Sequence, residues 1–158
     1  MKTYKFYTKD ALLIDESNLF QNNDIYVVIN SLTHCAVSEP LCRKLKLNRH
    51  FEIFDCDYSK WLSEDIIYSE FSYEDCLTMT AAIAYDVLRH PDETVFVTAN
   101  PQMALFMNKY FGEDSIILLE EDRDEKKIKK ENWMEQNFQR NNSCYFWWFF
   151  HLEYYRIL

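Results

Sequence analysis

Glycine is almost missing from this chain, since Gly112 is the single glycine among 158 residues. Loops that cradle phosphate groups need several glycines, because only a backbone without side chains can approach phosphate closely and adopt positive φ angles freely. The sequence therefore excludes the phosphate-binding loop of nucleotide hydrolases and the glycine-rich turn of dinucleotide-binding enzymes.

Paired cysteines are missing too. The chain has five cysteines, but no Cys-x-x-Cys pair and no cysteine–histidine spacing typical of a zinc site. An odd number of cysteines in a chain without a signal peptide predicts reduced thiols and a cytoplasmic location. We expect each of these cysteines to be a small buried side chain.

Basic residues are fewer than acidic ones, with 17 Lys and Arg against 26 Asp and Glu and a formal net charge of -9. This balance argues against a broad surface for nucleic acid, but it permits a small basic patch or an acidic pocket for divalent cations. Hydrophobic residues make up 48% of the chain, which predicts a folded domain with a substantial core.

Apolar runs alternate with amphipathic segments along residues 1–122. The strongest helix patterns are Ser72 to Arg89, with Ser72 and Asp75 in a capping-box spacing, and Pro101 to Phe111, which follows Asn100. Strands are predicted within residues 5–14, 24–30, 51–57, 95–97 and 115–119. This alternation predicts an α/β domain, a three-layer sandwich with a largely parallel central sheet.

The composition changes near residue 122. We predict a second region, residues 123–158, made of a charged helix and an aromatic segment, Cys144 to Leu158. The aromatic segment is too short and too interrupted by polar residues to span a membrane. We therefore expect no membrane as a partner of this protein. So much aromatic surface needs a cover, either its own domain, a second copy of the chain or a protein partner.

Ligands of parallel α/β sheets bind outside the carboxyl ends of the strands, which makes polar residues at those ends candidates for a site. The predicted strand ends carry Asp10, Asn30, Asp55, Asp57, Thr98 and Asn100, and Asp75 opens the helix that follows Ser72.

Four segments carry a resemblance: "KFYTKDALL" with Asp10, "DIYVVINSLTHC", "SYEDCLTMTAAIAY" with Asp75, and "VFVTANPQMAL" with Thr98 and Asn100. Their order, over roughly residues 4–119, resembles a PIN domain, the fold of many metal-dependent RNA nucleases. The resemblance implies Mg²⁺ or Mn²⁺ as cofactor and single-stranded RNA as substrate. It implies that Asp10 binds the metal directly, that Asp75 binds it directly or through water, and that Thr98 orients a ligand.

The chain departs from the family pattern in two places. Asn100 stands where the family prefers Asp, and Cys35 and Ala36 occupy the region after the second strand where an acid is expected. Glu39 or Glu74 are alternative sources of that acid. Losing carboxylates weakens a site that holds a dication by charge.

Ordinary structural roles also account for the candidate residues. Asn100 before Pro101 is a good helix N-cap, Asp75 fits a capping box, and Asp10 fits the end of a strand. The function predictions therefore stay open between a metal-dependent endoribonuclease with a weakened acidic site and a catalytically inactive module. The inactive module would bind a protein partner or self-associate through residues 144–158. A small-molecule enzyme or sensor on a flavodoxin-like sheet is a third hypothesis.

Overall fold

The computed structural model describes residues 2–19 and 24–120, and the predicted C-terminal region 123–158 lies outside them. The first part of the chain contains β1 (Thr3–Tyr7), α1 (Lys9–Ile14), α2 (Glu16–Leu19), β2 (Ile25–Asn30), α3 (Ser31–Ala36), α4 (Glu39–Leu47) and β3 (Phe51–Phe54). It continues with α5 (Tyr58–Trp61), α6 (Glu64–Ile67), α7 (Tyr73–Leu88), β4 (Thr94–Thr98), α8 (Pro101–Phe111), a short 3-10 helix (Glu113–Ser115) and β5 (Ile116–Leu118).

The strands form one five-stranded sheet in the order β3-β2-β1-β4-β5, and every neighbouring pair is parallel. This confirms the predicted α/β class and the largely parallel sheet. The strand order reverses between β1 and β4, because the chain first builds outward on one side of β1 and then returns to its other side. Such a reversal opens a crevice at the carboxyl ends of the two strands, where ligands of this fold class bind.

Side chains of successive strand residues pack alternately in two separate cores, one on each face of the sheet. Phe6, Val28 and Phe96 pack in the first core, together with Met79 and Tyr85 of α7. The residues that follow them in the strands pack in the second core, with side chains of α1 and α4: Tyr7, Ile29, Val97, Leu12 and Leu41. Helices on both faces give the predicted three layers.

Local capping fixes where the two longest helices begin and end. The Ser72 side chain accepts a hydrogen bond from the Asp75 backbone N–H at 3.2 Å, so the predicted capping interaction opens α7. Helix α8 ends at Gly112, whose φ of 72° lies in the region that favours glycine. Both helices therefore match the sequence prediction to within a residue at each end.

The first strand differs from the prediction. Strand β1 ends at Tyr7, and Thr8 is the N-cap of α1, so Asp10 lies in the first turn of a helix and does not end a strand. Thr8 has an extended backbone. Ala11 and Leu12 are neighbours in sequence and both are buried, a pattern that fits a helix and not the alternation of a strand with one buried face.

The cysteines in the described residues are free thiols, but they are not all buried. Cys76 is buried, whereas Cys35 is exposed, so the prediction of burial is wrong at Cys35. Burial, together with the flanking carboxylates of Asp55 and Asp57, raises the pKa of the Cys56 thiol to about 11. Cys56 therefore stays protonated and weakly nucleophilic at neutral pH.

No helix within residues 2–19 and 24–120 is long and apolar enough to cross a membrane.

Candidate functional site at the carboxyl edge of the sheet

Two threonines face each other at the crevice between β1 and β4. The Thr8 backbone N–H donates to the Val97 carbonyl at 2.9 Å, and Tyr7 is the register partner of Val97. Thr8 is therefore level with Thr98, the last residue of β4. Both threonines stand at the reversal of the strand order, where the fold offers its binding crevice.

A third polar residue continues this row onto β2. Phe6 pairs with Val28, so Thr8, two residues later, is level with Asn30 at the end of β2. Side chains two residues apart in extended backbone lie on the same face. The residues two positions before Thr8, Asn30 and Thr98 belong to the first core, and these are Phe6, Val28 and Phe96. We call Asn30, Thr8 and Thr98 the polar row. It caps the first core at the carboxyl edge of the sheet.

The polar row is both uncharged and buried. Asn30 and Thr98 are 0% exposed and Thr8 is 5% exposed. This is the edge where the PIN resemblance implies a cluster of carboxylates. The buried positions of the polar row carry neutral side chains instead.

The side chains of Asn100 and Thr98 form hydrogen bonds within the turn that starts α8. The Asn100 Oδ1 atom accepts hydrogen bonds from the backbone N–H groups of Gln102 at 3.0 Å and Met103 at 3.3 Å. The Thr98 Oγ1 atom accepts from the Asn100 N–H at 3.1 Å and donates to the Met103 sulfur at 3.5 Å. Asn100 is thus the N-cap that the sequence predicts, with its carbonyl oxygen already occupied.

Hydrogen bonds connect the polar row with the first turn of α7. The Asn30 Oδ1 atom accepts from the Thr33 N–H at 2.8 Å, and the Thr33 hydroxyl lies 3.3 Å from the hydroxyl of Thr78. The Thr78 hydroxyl in turn donates to the Glu74 carbonyl at 3.0 Å. Thr33 and Thr78 are also buried, so the edge is closed by a chain of neutral groups.

Three enclosed polar atoms at this edge have no hydrogen-bond partner among the described residues: Thr8 Oγ1, Asn30 Nδ2 and the Tyr58 hydroxyl. Burial raises the pKa of Tyr58, and the nearby Asn30 amide opposes that rise, although the two groups do not meet the geometry of a hydrogen bond. Buried polar groups without partners are costly, and small cavities between them commonly hold water. The buried part of the edge therefore has unused hydrogen-bonding capacity, and the side chains of the polar row carry no charge.

The two predicted metal ligands do not join the polar row. Asp10 is exposed in the first turn of α1, and Asp75 is half-buried in the first turn of α7. Of the alternative acids, Glu39 pairs with Arg43 on the exposed side of α4 and Glu74 is exposed. Within residues 2–19 and 24–120, no three Asp, Glu, His or Cys side chains lie close enough together to hold a metal ion.

The donor set therefore does not fit the metal that the resemblance implies. Mg²⁺ and Mn²⁺ sites in proteins use carboxylates to balance the charge of the ion. The polar row supplies neutral hydroxyl and amide groups, and the Asn30 oxygen already accepts one hydrogen bond, from the Thr33 N–H. We derive no catalytic step through a metal ion at this edge.

Thr8, Thr33, Thr78 and Tyr58 belong to the edge but were not predicted from the sequence. The sequence did contain one indication that Thr8 begins a helix. A threonine shortly before apolar residues such as Ala11 and Leu12 is a common N-cap. The others depend on contacts between distant segments, such as Thr33 with Thr78, which no local pattern reveals.

Replacing Asn100 by Ala is expected to lower the free energy of unfolding by about 1 kcal/mol, because two N–H groups of α8 lose their acceptor. Asn100→Asp is the matched control, since a carboxylate keeps the acceptor and suits the positive end of a helix. Urea denaturation measures both. A loss in Asn100→Asp equal to that in Asn100→Ala would contradict the capping role.

Comparison of the chain with protein-family models, with curated proteins and with solved structures gives no match in any of the three. The PIN resemblance therefore stays a prediction that depends on the order of the segments and on their strand-end residues.

Proposed function

We propose that residues 1–122 form a PIN-like binding module that acts by binding a protein partner and not by cutting RNA. The observation that supports this most directly is the polar row, because Asn30, Thr8 and Thr98 are neutral and at most 5% exposed. A metal-dependent nuclease would need carboxylates close together at this edge to hold its metal ion.

The electrostatic reason is the cost of holding a dication without countercharge. A divalent ion loses most of its hydration shell in a buried site, and carboxylates must replace that stabilisation. Hydroxyl and amide dipoles replace only part of it. We expect Mg²⁺ or Mn²⁺ to remain in solution at millimolar concentrations rather than occupy this edge.

Features outside the edge support a protein as the partner. Large apolar side chains such as Tyr68 (83% exposed), Tyr73 (73%) and Leu105 (72%) lie on the surface of the domain. Tyrosine contributes strongly to protein interfaces, whereas a net charge of -9 repels nucleic acid. Self-association through residues 144–158 remains a second form of the same proposal.

An RNA cleavage assay tests the proposal. Mixed-sequence single-stranded RNA incubated with the protein and millimolar Mn²⁺ is expected to stay intact, with Asp10→Asn, Asp75→Asn and the wild type behaving alike. A manganese-dependent nuclease treated in parallel checks that the RNA is cleavable. Cleavage by the wild type that is lost in Asp75→Asn but kept in the control Asp114→Asn would overturn the proposal.

A metal-dependent nuclease is the second candidate function. It is favoured by the strand order 3-2-1-4-5, which opens a crevice beside β1, and by the hydrogen bonds that connect the first turn of α7 to Asn30. In that case Asp10 and Asp75 would hold a metal ion, which would supply positive charge for the phosphates of the RNA. The assay above separates the two candidates through the effect of Asp75→Asn.

A further inference from the structure

An acidic surface with exposed apolar side chains lies where α6 meets α7. Its apolar residues are Ile67 (51% exposed), Tyr68 (83%) and Tyr73 (73%). Helix α6 is a single turn that buries Ile66 completely, so the residues after it project outward. Tyr73 is the first residue of α7, whose buried stripe begins only at Cys76.

Hydrogen bonds fix the two sides of this surface against each other. The Cys76 thiol lies 3.3 Å from the Ile66 carbonyl oxygen and donates to it, and the Ser69 hydroxyl donates to the same carbonyl at 2.6 Å. The Ser72 cap holds the start of α7 in place. The apolar residues therefore stand on a preformed scaffold, which lowers the entropic cost of binding.

The charge of this surface is of one sign. From Trp61 to Leu88 the sequence has no Lys, Arg or His. Residues 64–75 alone contribute five carboxylates, and these are Glu64, Asp65, Glu70, Glu74 and Asp75. Among the residues that the structure describes, Lys109 is the one cation in an ion pair with them, 3.7 Å from Asp65. We call residues 64–75 the acidic aromatic surface.

We propose that the acidic aromatic surface binds a basic segment of a protein partner, one in which Arg or Lys residues flank an aliphatic side chain. The aliphatic residue packs between Ile67 and the tyrosines, and the cations lie against tyrosine faces and carboxylates. Guanidinium groups suit both kinds of neighbour. This inference rests on the proposed function, because it names the chemistry of the partner.

Calorimetric titration with a synthetic peptide, Arg-Arg-Leu-Arg-Arg-Leu-Arg-Arg, tests the inference on the full chain at low and at physiological salt. Saturable binding is expected. The double variant Tyr68→Ala/Tyr73→Ala is expected to weaken it about tenfold or more, since exposed tyrosines are frequent binding hot spots. The matched control Leu13→Ala/Leu47→Ala removes apolar residues that are 52% and 85% exposed on α1 and α4, the helices that pack in the second core, and should leave the affinity unchanged.

A second pair of variants separates a specific surface from general attraction to an acidic protein. Glu70→Lys/Glu74→Lys and Glu113→Lys/Asp114→Lys change the net charge equally, and all four residues are exposed. Only the first pair should abolish binding at physiological salt. Equal losses in the two pairs, or tyrosine variants that bind like the wild type, would overturn the inference.

The outcomes distinguish this inference from the proposed function. Intact RNA together with no saturable peptide binding removes the acidic aromatic surface as a docking site and leaves the non-catalytic module in place. Manganese-dependent RNA cleavage that Asp75→Asn abolishes removes the proposed function, whatever the peptide does.

Discussion

The double variant Thr8→Asp/Asn30→Asp is expected to gain about 2.7 kcal/mol of free energy of unfolding when Mn²⁺ is present at a hundred times its dissociation constant, whereas the wild type gains nothing. Phe6 pairs with Val28, so Thr8, directly after β1, is expected to be level with Asn30 at the end of β2, on the same face and at the strand spacing of about 4.8 Å. Two carboxylates placed there would restore the charge that the neutral edge lacks.

Without metal, the same variant should be roughly 3–5 kcal/mol less stable than the wild type, because it buries unpaired charges side by side. The matched control is Asn30→Asp/Thr94→Asp. Thr94 is 1% exposed like the residues of the polar row, but it begins β4 at the opposite edge of the sheet. The control should be destabilised yet not rescued by Mn²⁺.

Thermal denaturation with and without Mn²⁺ measures both effects. Equal behaviour of the two double variants would show that Thr8 and Asn30 do not share a face, against the register described above. Stabilisation of the wild type by Mn²⁺ to the same extent as Thr8→Asp/Asn30→Asp would favour a metal site already present in the chain.

Replacing Tyr85 by Ala is expected to lower the free energy of unfolding by about 3–5 kcal/mol, because it leaves a cavity where α7 packs on the sheet. Tyr85 is 0% exposed, and its ring lies 5.0 Å from that of Phe54 in an edge-to-face arrangement and 6.0 Å from that of Phe6. Burial, and next the charge of Glu52, raises the pKa of Tyr85, so its hydroxyl stays protonated.

Tyr85→Phe is the control for the cavity, since it removes only the hydroxyl that donates to the Glu52 carboxylate at 3.3 Å. Its expected cost is about 1 kcal/mol, the net value of one hydrogen bond. Urea denaturation with unchanged slopes measures both variants. A Tyr85→Ala protein as stable as Tyr85→Phe would contradict the packing of α7 on this face.

Local rules predicted the parts of the fold that depend on neighbouring residues. Ser72 before Asp75, and Asn100 before Pro101, are short-range capping signals, and both open a helix in the structure. Continuous apolar runs such as Ile25–Asn30 predicted buried parallel strands, because both faces of such strands are covered by helices.

The end of β1 was harder to predict, because Thr8 is compatible with both a strand and a helix cap. The apolar residues before Thr8 favour a strand that continues to Asp10, whereas the observed strand ends at Tyr7. That shift of three residues moves Asp10 to the exposed first turn of α1 and brings Thr8 to the edge.

The composition of the candidate site depends on register, which the sequence does not encode locally. Asn30 and Thr98 end β2 and β4, and Thr8 directly follows β1. Only the parallel pairing of the three strands, with its alignment, brings these residues into one row. Likewise, Thr33 meets Thr78 across 45 residues of sequence. Such contacts arise from tertiary packing rather than from spacing.

Calorimetric titration of Mn²⁺ into the wild-type protein tests the neutral edge most directly. The polar row predicts no saturable heat up to millimolar Mn²⁺, with identical traces for the wild type and Asp75→Asn. A saturable isotherm with a micromolar dissociation constant in the wild type, lost in Asp75→Asn, would contradict a non-catalytic edge and support a metal-dependent nuclease.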